Sequence, residues 1–130
     1  DSAGYVALLQ RLRHQGANET VYAPEFRREI EEPVAGALQV LPPRRLVNHE
    51  GNYLLLDSGP WAHVAALLDD VWYVEVDDSL RTDRLVQRHE QFGRSRQDAM
   101  DWVASTDERN ARLIETTRPK AKLVFRWNDL

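Results

Sequence analysis

Three short apolar runs separated by helical patterns constrain the fold of this chain more than any other feature of its sequence. Residues 46–48, 71–76 and 123–127 are rich in branched and aromatic side chains, which is typical of strands buried in a sheet. The segments between these runs show helical spacing instead. Strands that alternate with helices in this way predict an α/β fold with a parallel sheet.

The helical patterns differ in how clearly their ends are marked. Gly16 follows the first pattern and predicts its end, and Ser79 is the predicted N-cap of the longest one. Residues 18–43 contain scattered prolines, so we expect mostly loop there, with a short extended or helical piece at 34–40. The predicted helices are residues 5–12, 61–68, 79–91, 97–104 and 107–116.

Size and composition limit the classes of protein to which the chain can belong. Its 130 residues predict a single domain, 1–130, and no linker or repeat divides it. The net charge of -4 gives no overall basic field, so neither nucleic acid nor a membrane surface is an expected partner. Absence of cysteine excludes disulfides and thiolate metal sites, and no apolar run is long enough to span a membrane. We expect a cytoplasmic protein.

A cluster of arginines follows the apolar run at 71–76. Arg81, Arg84 and Arg88 are spaced three and four residues apart and so share a narrow face of the predicted helix 79–91. Such a face suits a polyphosphate, but it also suits a solvated helix surface with ion pairs to Asp83 and Glu90. The arginines are Arg81, Arg84, Arg88, Arg94 and Arg96.

Two further groups of residues are candidates for a site. Glu50 follows the apolar run 46–48 and precedes Gly51, where a carboxylate could help to hold Mg²⁺ or could simply end a strand. Aromatic and basic residues in the irregular region could line a substrate pocket or anchor a loop on the core. These residues are Tyr22, Pro24, Phe26 and Arg28. The histidines show no metal-binding spacing, and no G-x-S-x-G or G-x-x-x-x-G-K-[ST] motif occurs.

Five segments follow one another along the chain, namely VYAPEFRREIEEPVAGA, LVNHEGNYLLL, LLDDVWYVEV, RLVQRHEQFGRS and DERNARLIETT. In this order they resemble the carboxyl-terminal two-thirds of P-loop kinases of the phosphoribulokinase/uridine kinase-like group. The resemblance is strongest to bacterial nucleoside/nucleotide kinase family proteins of fructose-kinase-like type, which are relatives of pantothenate kinase. It implies a P-loop NTPase-like parallel sheet flanked by helices.

The resemblance also implies roles for individual residues. Glu50 matches the acid at a strand end that assists the magnesium ion of bound ATP. The segment at about 80–96 matches a lid that closes over the transferring phosphoryl group. It contains Arg84 and Arg88, which match catalytic residues, and Arg81 and Arg94, which match further residues of the lid. Asn110 matches a segment near the nucleotide or the base of the lid. Residues 18–43 match the acceptor loop, in which Tyr22, Pro24, Phe26 and Arg28 contact the substrate.

The chain departs from the pattern of this group at several places. Arg27 stands where an acidic residue is expected before Arg28, and Lys122 stands where the last strand is often introduced by Ala-Asp. The phosphate loop and the acidic catalytic base of the group lie in an amino-terminal third that residues 1–130 do not contain. We therefore expect a further amino-terminal segment of the same protein, whose strand pairs between the strand near Glu50 and the strand 71–76, and we expect the fragment alone to be inactive.

The expected function is an ATP-dependent phosphotransferase that acts on a hydroxyl of a small metabolite such as a sugar, a nucleoside or a pantothenate-like molecule. ATP and Mg²⁺ are the expected cofactors, and a homodimer is compatible with the sequence. The alternative is a degenerate kinase fold that binds or assembles without catalysis. A third, weaker hypothesis is a stand-alone anion-binding domain that uses the arginine face.

Overall fold

A computed structural model of the chain describes residues 1–42 and 46–127. These residues form two compact units, which comprise Asp1–Leu67 and Leu68–Leu130. Both units combine helices with strands, and the second contains parallel strands, as the α/β prediction requires.

The first unit begins with an amphipathic helix, α1, at Ser2–Arg13. Asp1 caps this helix, because its carboxylate accepts a hydrogen bond of 2.8 Å from the amide of Gly4. Val6 and Leu9 lie on one face at helical spacing and are buried. The predicted helix at 5–12 is therefore confirmed, and it ends before Gly16.

An antiparallel hairpin follows α1, although residues 18–43 were expected to be mostly loop. Its strands are β1 at Val21–Arg27 and β2 at Glu32–Val40. Proline lacks a backbone N–H donor, which argues against a strand. Pro24, however, lies where the pairing register shifts, so no ladder hydrogen bond is required from it. Gly36 has a φ of 67° opposite this irregularity.

The strand predicted at 46–48 is wrong. Residues 46–50 have no regular secondary structure, and the side chain of Leu46 is 84% exposed. A strand requires a neighbour to pair its backbone groups, and within the described residues none lies beside this segment. The helix predicted at 61–68 forms instead as two short 3₁₀ turns, Gly59–His63 and Ala65–Leu67.

The second unit contains two parallel strands, β3 at Trp72–Val76 and β4 at Leu123–Trp127. They pair in register from Trp72 opposite Leu123 to Val76 opposite Trp127. Both were predicted from their apolar character, and the parallel direction is also confirmed.

Helix α2 at Asp78–Gln91 follows β3 directly. Its N-cap is Asp77 rather than the predicted Ser79, because the Asp77 carboxylate accepts hydrogen bonds from the amides of Ser79 and Leu80. The Ser79 hydroxyl also donates a hydrogen bond to this carboxylate. That bond, followed by the two from the amides, lowers the pKa of Asp77. The helix ends at Gln91, and Gly93, whose φ is 91°, lets the backbone turn away from it.

The last two predicted helices form one helical run with a change of pitch. Helix α3 at Arg96–Trp102 continues through a π-helical turn at Val103–Asp107 into helix α4 at Glu108–Glu115. Val86 of α2 packs with Ala99 and Val103 in the core of this unit. The helical run thus brings its acidic residues Asp107 and Glu108 against α2.

Candidate functional site

The arginines of α2 and the segment after it do not share one environment. Arg84 and Arg88 are exposed, whereas the side chain of Arg81 is only 21% exposed. Arg81 donates hydrogen bonds to Glu108 at 2.7 Å and to Asp78 at 3.1 Å. The structure therefore separates one arginine that joins α2 to α4 from two that face solvent.

Arg112 completes a network of charges at the start of α2. Its guanidinium donates to Asp78 at 2.6 Å, to Glu108 at 2.7 Å and to Glu115 at 3.0 Å. The bonds from Arg112 and Arg81 lower the pKa of Asp78, and the bond from Arg81 lowers the pKa of Glu108. Burial alone would lower the pKa of Arg81, but its two carboxylate partners outweigh burial and raise it.

The two arginines after α2 also have different partners. The guanidinium carbon of Arg94 lies 4.1 Å from the centre of the Trp102 ring. Arg96 pairs with Glu90 at 3.4 Å, which is one of the two ion pairs expected for a solvated surface. Asn110 lies half-buried on α4 and interacts with neighbouring groups.

Glu50 lies in the first unit, on an exposed position of the irregular segment 46–50. The residue before it, His49, contacts Tyr5 of α1 edge-on, with the ring centres 6.0 Å apart. Burial against this cluster lowers the pKa of His49. Tyr5 also contacts Trp61 at 5.7 Å, so the chain beside Glu50 is tied to both α1 and the first 3₁₀ turn.

Three of the four predicted acceptor residues lie on one face of β1. Tyr22, Pro24 and Phe26 alternate along the strand and all are exposed, as the period of two in a strand requires. Arg28 lies beyond the strand, in the hairpin turn, and interacts with neighbouring groups. Tyr22 and Pro24 line a groove of about 540 Å³ with residues of α1, namely Asp1, Gly4, Tyr5, Ala7, Leu8 and Arg11.

Several residues that hold the arginines carry no local sequence signal, because their importance depends on contacts across elements. Trp102, Glu108 and Asp78 were not singled out, yet they hold Arg94 and Arg81. The one available signal was compositional, because a helix with more arginines than acids needs acidic or aromatic partners elsewhere.

The described ranges 1–42 and 46–127 contain no cluster of three or more histidine or acidic side chains that could hold a metal ion. Glu50 could therefore contribute only one carboxylate to a Mg²⁺ ion held otherwise by phosphate oxygens and water, which is a common arrangement for this ion. In that same part of the chain, no helix combines the length and apolar character required to cross a membrane.

Similarity to known proteins is found along almost the whole chain. An ATP-dependent kinase-like protein of Aspergillus versicolor is 36% identical over 100% of this chain and 79% of its own length. A Schizosaccharomyces pombe protein provisionally named a uridine kinase is 32% identical over 90% of this chain and 51% of its own length. No protein-family model matches the chain.

The fold of the chain is also similar to that of a solved structure. A Silicibacter protein provisionally assigned as a fructose transport system kinase superposes with a TM-score of 0.85 over 98% of this chain, at 36% identity. This chain covers 60% of that protein and 51% of the fission-yeast relative, so it spans only part of their length.

Proposed function

The chain belongs to the P-loop kinase-like family, and we propose that the full-length protein transfers the γ-phosphoryl group of ATP to a hydroxyl of a small metabolite. The observation that carries this proposal is the 36% identity, over the whole chain, to an ATP-dependent kinase-like protein. Sugars, nucleosides and pantothenate-like molecules are the acceptor classes to be tested. The cytoplasm, where ATP is abundant, is the compartment we propose.

The arginines supply the charge that this chemistry needs. Phosphoryl transfer depends mainly on positioning and on neutralising the negative charge of the transferring group. Arg84 and Arg88 are exposed on one side of α2, and Arg94 follows at its end, so all three are accessible to a polyphosphate. We assign Arg84 and Arg88 to the phosphoryl group and Arg94 to the lid. The carboxylate partners of Arg81 favour a role in holding that lid on α4.

Glu50 and β1 supply the remaining parts in this proposal. Glu50 would assist the Mg²⁺ ion of bound ATP, and the ion would neutralise the phosphate oxygens. The groove between α1 and β1 would accept the metabolite against Tyr22 and Pro24, with Phe26 and Arg28 further along the hairpin.

A further segment of the same protein would complete the fold and the site. The face of the β3–β4 sheet that carries Trp72, Val74, Leu123, Phe125 and Trp127 is apolar, and each of these side chains is between 45% and 62% exposed. Parallel sheets are normally covered on both faces. We propose that the covering segment also provides the phosphate loop and the catalytic base, because residues 1–130 contain no G-x-x-x-x-G-K-[ST] motif.

The alternative function is a kinase fold that binds its ligands without catalysis. The test is Glu50→Gln in the full-length protein, assayed with Mg-ATP and a panel of sugars and nucleosides. Loss of a carboxylate that helps to hold a metal ion is expected to lower activity about 10- to 100-fold. Asp70→Asn, at an exposed position outside the acceptor loop and the lid, is the control and should keep full activity.

Full activity of the Glu50→Gln variant at every Mg²⁺ concentration would remove Glu50 from the mechanism. Binding of ATP without transfer to any acceptor in the panel would favour the non-catalytic alternative.

A further inference from the structure

Arg94 lies where the backbone is tightly held. Gly93, in the left-handed conformation, donates its amide to the carbonyl of Glu90 at 3.0 Å, and Arg94 donates its amide to the carbonyl of His89 at 3.1 Å. These two bonds form the motif that commonly ends a helix at glycine. The backbone of Arg94 is thus fixed relative to α2, and only its side chain has freedom to choose a direction.

The side chain of Arg94 is held by an aromatic ring and not by an acid. Its guanidinium lies 4.1 Å from the centre of the Trp102 ring, whereas Arg81 and Arg96 pair with carboxylates. Within the described residues, no carboxylate pairs with Arg94. Stacking uses the face of the guanidinium and leaves the N–H donors at its edge to bind an anion. Arg94 therefore keeps its charge and its donors while its orientation is restricted.

Trp102 is itself held by neighbouring residues. The His89 ring contacts the Trp102 ring at an angle of 63°, with the centres 6.4 Å apart. His89 Nε2 in turn lies 2.9 Å from a carboxylate oxygen of Asp107, in the π-helical turn. A chain of contacts therefore leads from the π-helical turn through His89 and Trp102 to Arg94.

We propose that Trp102 is a positioning residue that pre-orients the guanidinium of Arg94 for the phosphates of an incoming nucleotide. The ligand class rests on the proposed function, because polyphosphate is the ligand that a kinase lid meets. Pre-orientation raises affinity because less side-chain freedom is lost when the phosphate binds. Trp102 would act on phosphate binding through Arg94, whose guanidinium lies over its ring.

The experiment measures binding of Mg-ATP and of inorganic tripolyphosphate to the full-length protein by calorimetry, together with the KM values for ATP and acceptor. Trp102→Leu is expected to weaken binding of both ligands about 3- to 10-fold, a range typical of a cation–π contact. The acceptor KM should stay unchanged. Trp102→Phe keeps an aromatic face and should recover most of the affinity.

A double-mutant cycle separates positioning from general destabilisation. In an Arg94→Ala background, Trp102→Leu should have no further effect on binding, because the group that it positions is gone. An equal effect of Trp102→Leu in both backgrounds would overturn the inference. Wild-type affinity in the Trp102→Leu variant would do so too, as would failure of the wild-type protein to bind either ligand.

The inference and the proposed function fail in different ways. Coupled binding of tripolyphosphate without phosphoryl transfer would leave the inference standing and remove the kinase function. Phosphoryl transfer with unchanged ATP affinity in the Trp102 variants would leave the kinase function standing and overturn the inference.

Discussion

At the scale of single residues, the environment of each arginine decides what it can do. Arg81 and Arg88 lie seven residues apart on α2 and therefore nearly on the same side of it. Arg81 nevertheless reaches two carboxylates, one of them on α4, while Arg88 is exposed. One side chain is thereby committed to holding the fold and the other is available to a ligand.

This difference predicts opposite effects of two matched substitutions. Arg81→Met should lower the free energy of unfolding more than Arg88→Met does, because it removes the partly buried guanidinium that joins Asp78 of α2 to Glu108 of α4. Arg88→Met should change it by less than about 0.5 kcal/mol and instead weaken ATP binding. Denaturant unfolding and nucleotide titration of both variants check this. Equal loss of stability in the two variants would contradict the assignment.

At the scale of elements, the ends of α2 are set by specific side chains. Asp77 starts the helix by accepting the amides of Ser79 and Leu80, and Gly93 allows the backbone to leave it. The N-cap follows β3 directly, so a single carboxylate determines where the strand gives way to the helix.

The Asp77 cap predicts a measurable dependence on pH. Hydrogen bonds lower the pKa of Asp77 in the folded state, so its contribution to stability is present above its unfolded pKa, about 3.9. That contribution is lost as the pH falls through the lower folded value. Asp77→Asn keeps the cap but cannot titrate, so its melting temperature should fall less steeply below pH 4 than that of the wild type.

Asp77→Ala is the companion variant, because it removes the cap entirely. Its melting temperature at pH 7 should be lower by about 2 to 5 °C. Thermal melts followed by circular dichroism over pH 2.5–7 check both variants. Parallel wild-type and Asp77→Asn curves in acid would show that other carboxylates, such as Asp78 and Glu108, carry the whole pH dependence.

For the whole molecule, the main feature is an exposed apolar face of the parallel sheet. The apolar face of β3 and β4 includes Trp72, 62% exposed, and Phe125, 47% exposed. The opposite face carries Glu75, which pairs with Arg126 at 2.6 Å and with Arg118 at 2.9 Å. A contiguous exposed apolar surface of this kind normally marks a contact with further protein.

The apolar face predicts opposite effects of one substitution in the 130-residue chain alone and in the protein with the proposed covering segment. Val74→Lys should reduce self-association of the 130-residue chain, measured by sedimentation, because charge on an exposed apolar face opposes aggregation. In the full-length protein the same change should destabilise the fold, because the charge would be buried under the covering segment. Thr116→Lys, at an exposed helix end of the same unit, is the control and should have neither effect. Full stability of the complete Val74→Lys protein would mean that this face stays open.

Local patterns were sufficient for much of the architecture. The helical spacing in α1 and α2 and the continuous apolar runs of β3 and β4 were recognised because each depends on residues close in sequence. The strand at 46–48 was wrong and the hairpin of β1 and β2 was missed. Both errors concern strand pairing, which depends on a distant partner or on an irregularity that accommodates Pro24.

Sequence patterns alone were sufficient for the resemblance to a kinase family, the α/β class, most of the helices and a set of candidate residues for a phosphotransferase. These properties follow from composition, periodicity and the order of motifs, which need no knowledge of distant contacts. Packing in three dimensions was needed to show that carboxylates hold Arg81, that Trp102 holds Arg94, and that Tyr22 and Pro24 share a groove with α1. The reason is physical, because the partner of a charged or aromatic side chain is set by how elements pack and not by its neighbours along the chain.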